Sequence, residues 1–275
     1  MVWNELKTQE CKKLVERFVQ NRGYEGNPEG LKSNSDFVTS LFQERGFSVK
    51  QIPNPAAPYR PILIATSTDD SNRPTVGFFS HYDVEDAQSS EWNTDPWSLQ
   101  ELNGRWYGRG VADNLVPLAQ RILLLDEMSK YCNLVFVVQG EEEIGSPFAM
   151  EMYPSLNLPD IDMWVEETGY FYKNGNHRVM AVNVNKQLES VIDGIEALNT
   201  SMGLETKVRI RPMNKAFGNQ GCPCLVHLLK NVPYIALGPN DDHSTIHGIN
   251  ESINPSLLRP SAQHLLKALE VLGNG

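Results

Sequence analysis

The chain has 275 residues, of which 40% are hydrophobic and 21% charged. That apolar content supports a large core and excludes a disordered, collagen-like or low-complexity chain, and no run reaches the ~18 apolar residues of a membrane span. Lys and Arg number 24 against 34 Asp and Glu, a net charge of −10 without any basic stripe, which argues against nucleic acid and membrane partners.

Leu6, Leu14, Val15, Phe18 and Val19 recur near helical spacing and predict an amphipathic helix over 4–20. A second helix is predicted over 31–44, with Phe37, Val38, Leu41 and Phe42 on one face and Gly46 as its stop. Residues 47–52 read as a strand, followed by a proline-rich loop over 53–61. Apolar runs over 62–66 and 76–80 read as buried strands, 116–128 as a helix and 134–138 as a β-branched strand. Further strands are predicted over 161–165, 179–184 and 207–210, with helices over 188–198 and 224–230. A last strand over 234–237 and a closing helix over 255–272 complete the pattern. Interleaved strands and helices predict an α/β fold, a three-layer sandwich with a mixed, mostly parallel sheet flanked by helices. Neither a repeat nor a compositional break divides the chain, so a single domain over 1–275 is expected.

The first residues lack the basic and apolar stretches of a secretory signal. Cys11, Cys132, Cys222 and Cys224 are too sparse for a disulfide scaffold, and a reduced, cytoplasmic protein is expected. Cys222-Pro223-Cys224 reads as two small buried residues at a helix start.

Unusual polar residues sit at the ends of the predicted strands, where ligands bind in open α/β sheets. His81-Tyr82-Asp83 follows one strand, Gly140-Glu141-Glu142-Glu143 another, Glu166-Glu167 a third, and Asp241-Asp242-His243 with His247 a fourth. Asp113 immediately precedes a helix. Gathered carboxylates repel unless cations neutralise them, and imidazole with carboxylate oxygen suits zinc, and also manganese or cobalt. His81 and Asp83 stand at i and i+2, so in extended chain they share a face, and the Asp83 carboxylate can accept from the His81 ring nitrogen that does not bind metal. Glu142 and Glu143 are adjacent and diverge on a strand end, one toward metal and one toward substrate as general base.

Five motifs in order carry a resemblance: His81-x-Asp83, Trp92-x-x-Asp95-Pro96-Trp97, Tyr107-Gly-Arg-Gly-x-x-Asp113-Asn114, Glu142-Glu143-x-Gly145-Ser146 and His247-x-x-Asn250-Glu251. Together they resemble the co-catalytic zinc peptidases that include glutamate carboxypeptidase, carnosinase-type dipeptidases, aminoacylase, acetylornithine deacetylase and succinyl-diaminopimelate desuccinylase. The resemblance implies a zinc-exopeptidase-like catalytic domain with two Zn2+, for which Co2+ or Mn2+ could substitute. His81 would bind the first metal and His247 the second, Asp113 would bridge them, and Glu143 would complete the second site. Glu167 or Glu166 would complete the first, with Glu167 preferred because Val165-Glu166-Glu167-Thr168 looks like the deacetylase Val-Gly-Glu-Pro-Thr. Glu142 would be the general base and acid and Asp83 the orienter of His81, with a cis peptide at Asp113–Asn114. Gly145-Ser146 sets that register and leaves Glu141 as a solvated or salt-bridged neighbour.

Such proteins insert a lid domain between the third-strand ligand and the last histidine, but Glu167 and His247 are only 80 positions apart. The lid is therefore expected to be absent or vestigial over 168–220, which implies a monomer with an open site. Arg209, Arg211, Lys215, Asn219 and His243 are candidates to replace the lid's substrate contacts. The activity implied is hydrolysis of an amide bond in a dipeptide, short peptide or N-acyl amino acid. A non-catalytic binding protein on a peptidase scaffold, and a hydrolase of a non-peptide ester or C–N bond, are the alternatives.

Overall fold

A computed structural model describes residues 2–67, 69–166, 169–211 and 224–275. Helix α1 spans Glu5–Asn21 and α2 Pro28–Gln43. Each starts on an asparagine whose side-chain oxygen accepts a first-turn N–H, Asn4 from Lys7 and Asn27 from Gly30, satisfying donors that a helix leaves open. Gly46, at φ +77°, makes the left-handed turn that ends this stretch. Strands β1 (Ser48–Ile52), β2 (Ile62–Thr66) and β3 (Thr75–His81) follow, then the short β4 (Gln100–Leu102) and β5 (Arg105–Tyr107). The helix predicted over 116–128 is broken at Leu123–Leu124 into α3 (Val116–Ile122) and α4 (Leu125–Met128).

Next come β6 (Asn133–Gln139), α5 (Pro147–Met152), β7 (Met163–Glu166), β8 (Tyr170–Phe171) and β9 (His177–Val182). The chain continues with α6 (Lys186–Ser201), β10 (Thr206–Ile210), α7 (Leu225–Leu229), β11 (Tyr234–Ala236), β12 (Asn240–Asp241), β13 (Ser252–Ile253) and α8 (Leu258–Gly273).

Among the described residues the main sheet runs β1-β2-β6-β3-β7-β11-β9-β8-β12, with β10 beside β9. Its centre, β6-β3-β7-β11, is parallel, and β2 and β9 flank it antiparallel. Every position of β6 is buried, the pattern of a strand covered on both faces. On one face Val76, Phe78 and Phe136 pack with Phe42 of α2, Val116 of α3 and Leu269 of α8. On the other, Phe79, Val137 and Trp164 pack with Phe148 of α5 and Leu228 of α7. These are the three layers that the sequence predicts. Gly77 lies under the Trp164 ring, where an added Cβ would sit 2.5 Å from a ring carbon.

The span in which a vestigial lid is expected contributes β8, β9 and β10 to this sheet, and α6 shares the core cluster of α8. A second small sheet, β13-β5-β4, lies next to the strand ends. The buried Arg121 of α3 reaches under the centre of the main sheet. Its Nη1 donates to Phe79 O at 3.2 Å, and its Nη2 to Glu166 O at 2.5 Å and Leu237 O at 3.0 Å. No helix among the described residues is long and apolar enough to cross a membrane.

Candidate metal centre

Beyond β3 the chain bends at Tyr82. Tyr82 and Val84 turn into the core, 0% and 3% exposed, so His81, Asp83 and Glu85 alternate onto the other side. His81 Nδ1 lies 3.0 Å from the main-chain oxygen of Asp83 and 3.4 Å from its Oδ1. The nearer acceptor is thus the carbonyl rather than the expected carboxylate. The carboxylate is shared, because Asp83 Oδ2 accepts the Glu143 N–H at 3.0 Å. Both groups draw the proton to Nδ1, which leaves Nε2 facing Asp113 Oδ1 at 3.1 Å.

Asp113 sits in the tight turn Val111–Leu115 that feeds α3, and the Asp113–Asn114 peptide is cis, as the resemblance implies. Glu251, 0% exposed, holds this turn from behind. Its carboxylate accepts the N–H groups of Gly110 at 2.8 Å, Ala112 at 2.8 Å and Asp113 at 3.2 Å, and pairs with Arg109 Nη1 at 3.1 Å. Asn240 Nδ2 donates to Ala112 O at 3.0 Å, and Ser80 Oγ to Asn114 Oδ1 at 3.2 Å. Gly110, at φ +78°, would place a Cβ 2.1 Å from Val84, so no larger residue fits the turn.

Glu142 and Glu143 occupy a 3₁₀ turn, Glu142–Ile144, rather than a strand end. The turn keeps them together: an oxygen of each and a His81 ring nitrogen lie within 4.8 Å of one another. His247 Nε2 lies 2.9 Å from Glu143 Oε2 and 3.3 Å from Asp113 Oδ2. Asp113 therefore spans the two histidines, one oxygen toward each. Glu141 is salt-bridged, not solvated. Its carboxylate takes Asn54 Nδ2 at 2.6 Å, Arg60 Nε at 2.9 Å and the Phe148 N–H at 2.8 Å.

Burial opposes ionisation of Asp113, but the His247 and His81 rings outweigh it and hold the carboxyl below its usual range. Burial likewise lowers His81, yet Asp113, Asp83 and Glu142 carry it well above the usual imidazole value. Contact with Asp113 and Glu143 raises His247, and burial raises Glu143. Carboxylates in this cluster demand positive charge, and in its absence protons accumulate on both rings. Glu143 Oε2 meets the His247 ring and its Oε1 finds no partner among the described residues, although the side chain is only 4% exposed. A buried carboxylate with an oxygen left unpaired is costly unless a cation meets it. Imidazole nitrogens and carboxylate oxygens so arranged fit divalent cations of the zinc, cobalt or manganese type.

A family model described as peptidase family M20/M25/M40 matches residues 77–271. The chain belongs to this family. It is 32% identical over 142 residues to the Beta-Ala-His dipeptidase of Mus musculus, covering 49% of this chain and 27% of that protein. It is 33% identical over 114 residues to the Cysteinylglycine-S-conjugate dipeptidase of Corynebacterium striatum, covering 40% and 25%. The matched segment thus spans about a quarter of the length of these relatives. The solved dipeptidase Dug1p of Saccharomyces cerevisiae shares the fold, with a TM-score of 0.73 at 14% identity over 98% of each chain.

Within this M20 chain, His81, Asp83, Asp113, Glu142, Glu143 and His247 come together. Glu166 ends β7 opposite Ala236, buried at 5% exposure on the face of Trp164. The preferred Glu167, with Lys215 and Asn219, lies outside the described residues. His243 is exposed on the loop before His247. Arg209 and Arg211 are not brought to the site. β9 runs antiparallel to β11 and β10 runs parallel to β9, so β10 ends at the edge of the sheet away from the ends of β3, β7 and β11. Three residues with a place at the site have no role in the sequence reading. They are Glu251, Asn240 and Glu85, the last bringing an oxygen within 4.8 Å of Glu143 and His247 donor atoms. Every-second-residue spacing from His81 through Asp83 is the signal that would have found Glu85.

Proposed function

We propose that the chain is a metal-dependent hydrolase that cleaves an amide bond in a dipeptide, short peptide or N-acyl amino acid. The carrying observation is the aspartate that faces one histidine with each oxygen, beside the buried Glu143 carboxylate that meets the second of those histidines. The names of the relatives support dipeptide substrates. His81 with Glu167 or Glu166 would hold one cation, His247 with Glu143 the other, and Asp113 both. Zinc is the leading ion, with cobalt or manganese able to substitute. Bound cations supply Lewis acidity for the scissile carbonyl and for the attacking water. Glu142, on the turn beside His81, takes a proton from that water and returns it to the leaving nitrogen. Asp83 and the carbonyl behind it keep His81 in one tautomer, and Glu251 with Arg109 keeps the Asp113 turn fixed.

Residues 169–211 build strands of the main sheet and a core helix, which supports a chain working without a lid insertion, as a monomer with an open site. Cys11 and Cys132, buried free cysteines among the described residues, fit a reducing compartment such as the cytoplasm. The test is metal content together with hydrolysis of a panel of dipeptides and N-acyl amino acids, for the wild type and Glu142→Gln. The variant is expected to keep its metal and to lose turnover ~10²–10⁴-fold. Undiminished turnover would remove Glu142 from the role. Metal uptake by the wild type without turnover of any amide would favour the binding-protein alternative.

A further inference from the structure

Glu85 belongs to no motif of the sequence, yet it stands on the site side of the segment that carries His81 and Asp83. The core-facing residues of that segment are Tyr82 and Val84, and Val84 is pinned by its N–H to Gly23 O at 2.9 Å. Glu85 is thereby fixed in direction by its neighbours. It lines a pocket of about 230 Å³ together with Tyr24, Asp83, Asp86 and Glu143. Its carboxylate forms no hydrogen bond or ion pair with the described residues. An oxygen of Glu85, an oxygen of Glu143 and a ring nitrogen of His247 all lie within 4.8 Å of one another. That is close to the separation that ~2.0–2.2 Å metal–donor bonds permit. Glu143 Oε2 meets the His247 ring at 2.9 Å, and its Oε1 is buried without a partner among the described residues.

We propose that Glu85 is a further donor at the cation position formed by His247 and Glu143. The inference rests on the metal reading of the site and extends it. With Asp113 Oδ2 3.3 Å from His247 Nε2, the position gathers three carboxylates and one imidazole. Such an oxygen-rich set is harder than the His81 position, and it shifts preference toward manganese over zinc. The two cation positions then differ in chemistry, and the difference resides in one side chain.

The test uses the full chain, stripped of metal and titrated with Zn2+ and with Mn2+ by calorimetry, without substrate. Glu85→Gln should weaken one class of sites at least tenfold, since removing even outer partners of a ligand costs ~10–100-fold, and the loss should be larger for Mn2+ than for Zn2+. Glu44→Gln, a change to an exposed carboxylate at the end of α2 outside this pocket, should leave both affinities alone. His247→Ala should abolish the same class. If Glu85→Gln binds both ions as the wild type does while His247→Ala loses a site, the role of Glu85 is refuted and the metal reading stands. If the wild type takes up neither ion, both fall. Glu85 makes no fold-supporting contact among the described residues, so the metal-free variant should melt with the metal-free wild type. A raised KM with unchanged metal affinity would assign Glu85 to substrate and overturn the proposal.

Discussion

Glu251 holds the Asp113 turn through four contacts, and Glu251→Ala removes all of them at once. Three N–H groups, those of Gly110, Ala112 and Asp113, lose their acceptor, and the Arg109 guanidinium loses its carboxylate in a place where Arg109 itself is 4% exposed. Each buried donor left open costs ~1–3 kcal/mol, and breaking a buried charge pair by removing one partner costs ~3–5 kcal/mol. These costs overlap, and water entering the vacated space recovers part of them, so about 4 kcal/mol is the expected total. Whole domains are stable by only ~5–15 kcal/mol, and a chain of this size loses ~2–4 °C of melting temperature per kcal/mol. A fall of roughly 8–16 °C in the thermal midpoint follows. Glu251→Gln keeps one acceptor oxygen and should lose less. Urea denaturation and thermal melts of metal-free protein measure the effect without interference from the site. A midpoint for Glu251→Ala within ~2 °C of wild type would refute the account of Glu251 as the support of the turn.

Glu142→Gln should separate metal retention from turnover, read by metal content and amide hydrolysis. Metal removal by a chelator should lower the melting temperature, and returning Zn2+ at 100–1,000 times its dissociation constant should restore ~3–4 kcal/mol. An unchanged melt would count against resident cations. Acid should destabilise the fold through His177 and His264, whose rings stack at 4.0 Å and 9° with 0% and 1% exposure. Burial lowers His264 from 6.5 to about 4, and burial with His264 alongside lowers His177 well below its usual value. The unfolded chain takes up protons near pH 6.5 that the folded chain refuses until about pH 4, so stability is complete above about pH 6.5 and falls toward pH 4. For His264 alone that amounts to about 3 kcal/mol. Urea midpoints at about pH 7 and about pH 4.5 should differ in the wild type and differ by less in His264→Leu, which keeps the buried His177. Equal wild-type midpoints would contradict the buried-pair reading. Gly169→Ala should fail to fold, because its Cβ would lie 1.7 Å from the Gly238 nitrogen. Soluble protein with a wild-type melt would refute that contact.

The long, strongly patterned elements are those that the sequence makes legible. β2 has its predicted bounds, and α1, α2, β6 and α8 lie within a few residues of theirs, because a large apolar face or an all-buried run carries its own signal. The paired strands β8 and β12 are two residues long and owe their form to each other rather than to any local preference. The same holds for β13 against β5. The break between α3 and α4 falls in an unbroken apolar stretch, Ile122-Leu123-Leu124-Leu125, in which helical periodicity gives no warning. At the site, the residues with recognisable neighbours came forward and those acting through the main chain did not. Glu251 was visible only as part of a motif, since its role, accepting three N–H groups from a turn some 140 positions away, has no signature in spacing. Arg209 and Arg211 looked promising because they end a strand. Which end of a sheet a strand finishes at depends on its pairing partner, and that is a tertiary fact.

Arg121 gives the centre of the molecule an unusual mechanical property. One guanidinium bridges the carbonyls of Phe79, Glu166 and Leu237, three parallel strands gripped at one height. His81 lies two residues beyond the first of these grips and Asn240 three beyond the last. The offsets between neighbouring strand termini are thereby gauged below the loops. Loops of different length or composition can be set on these termini without altering the spacing underneath, so the rim of the site can be rebuilt for another substrate while the floor keeps its dimensions.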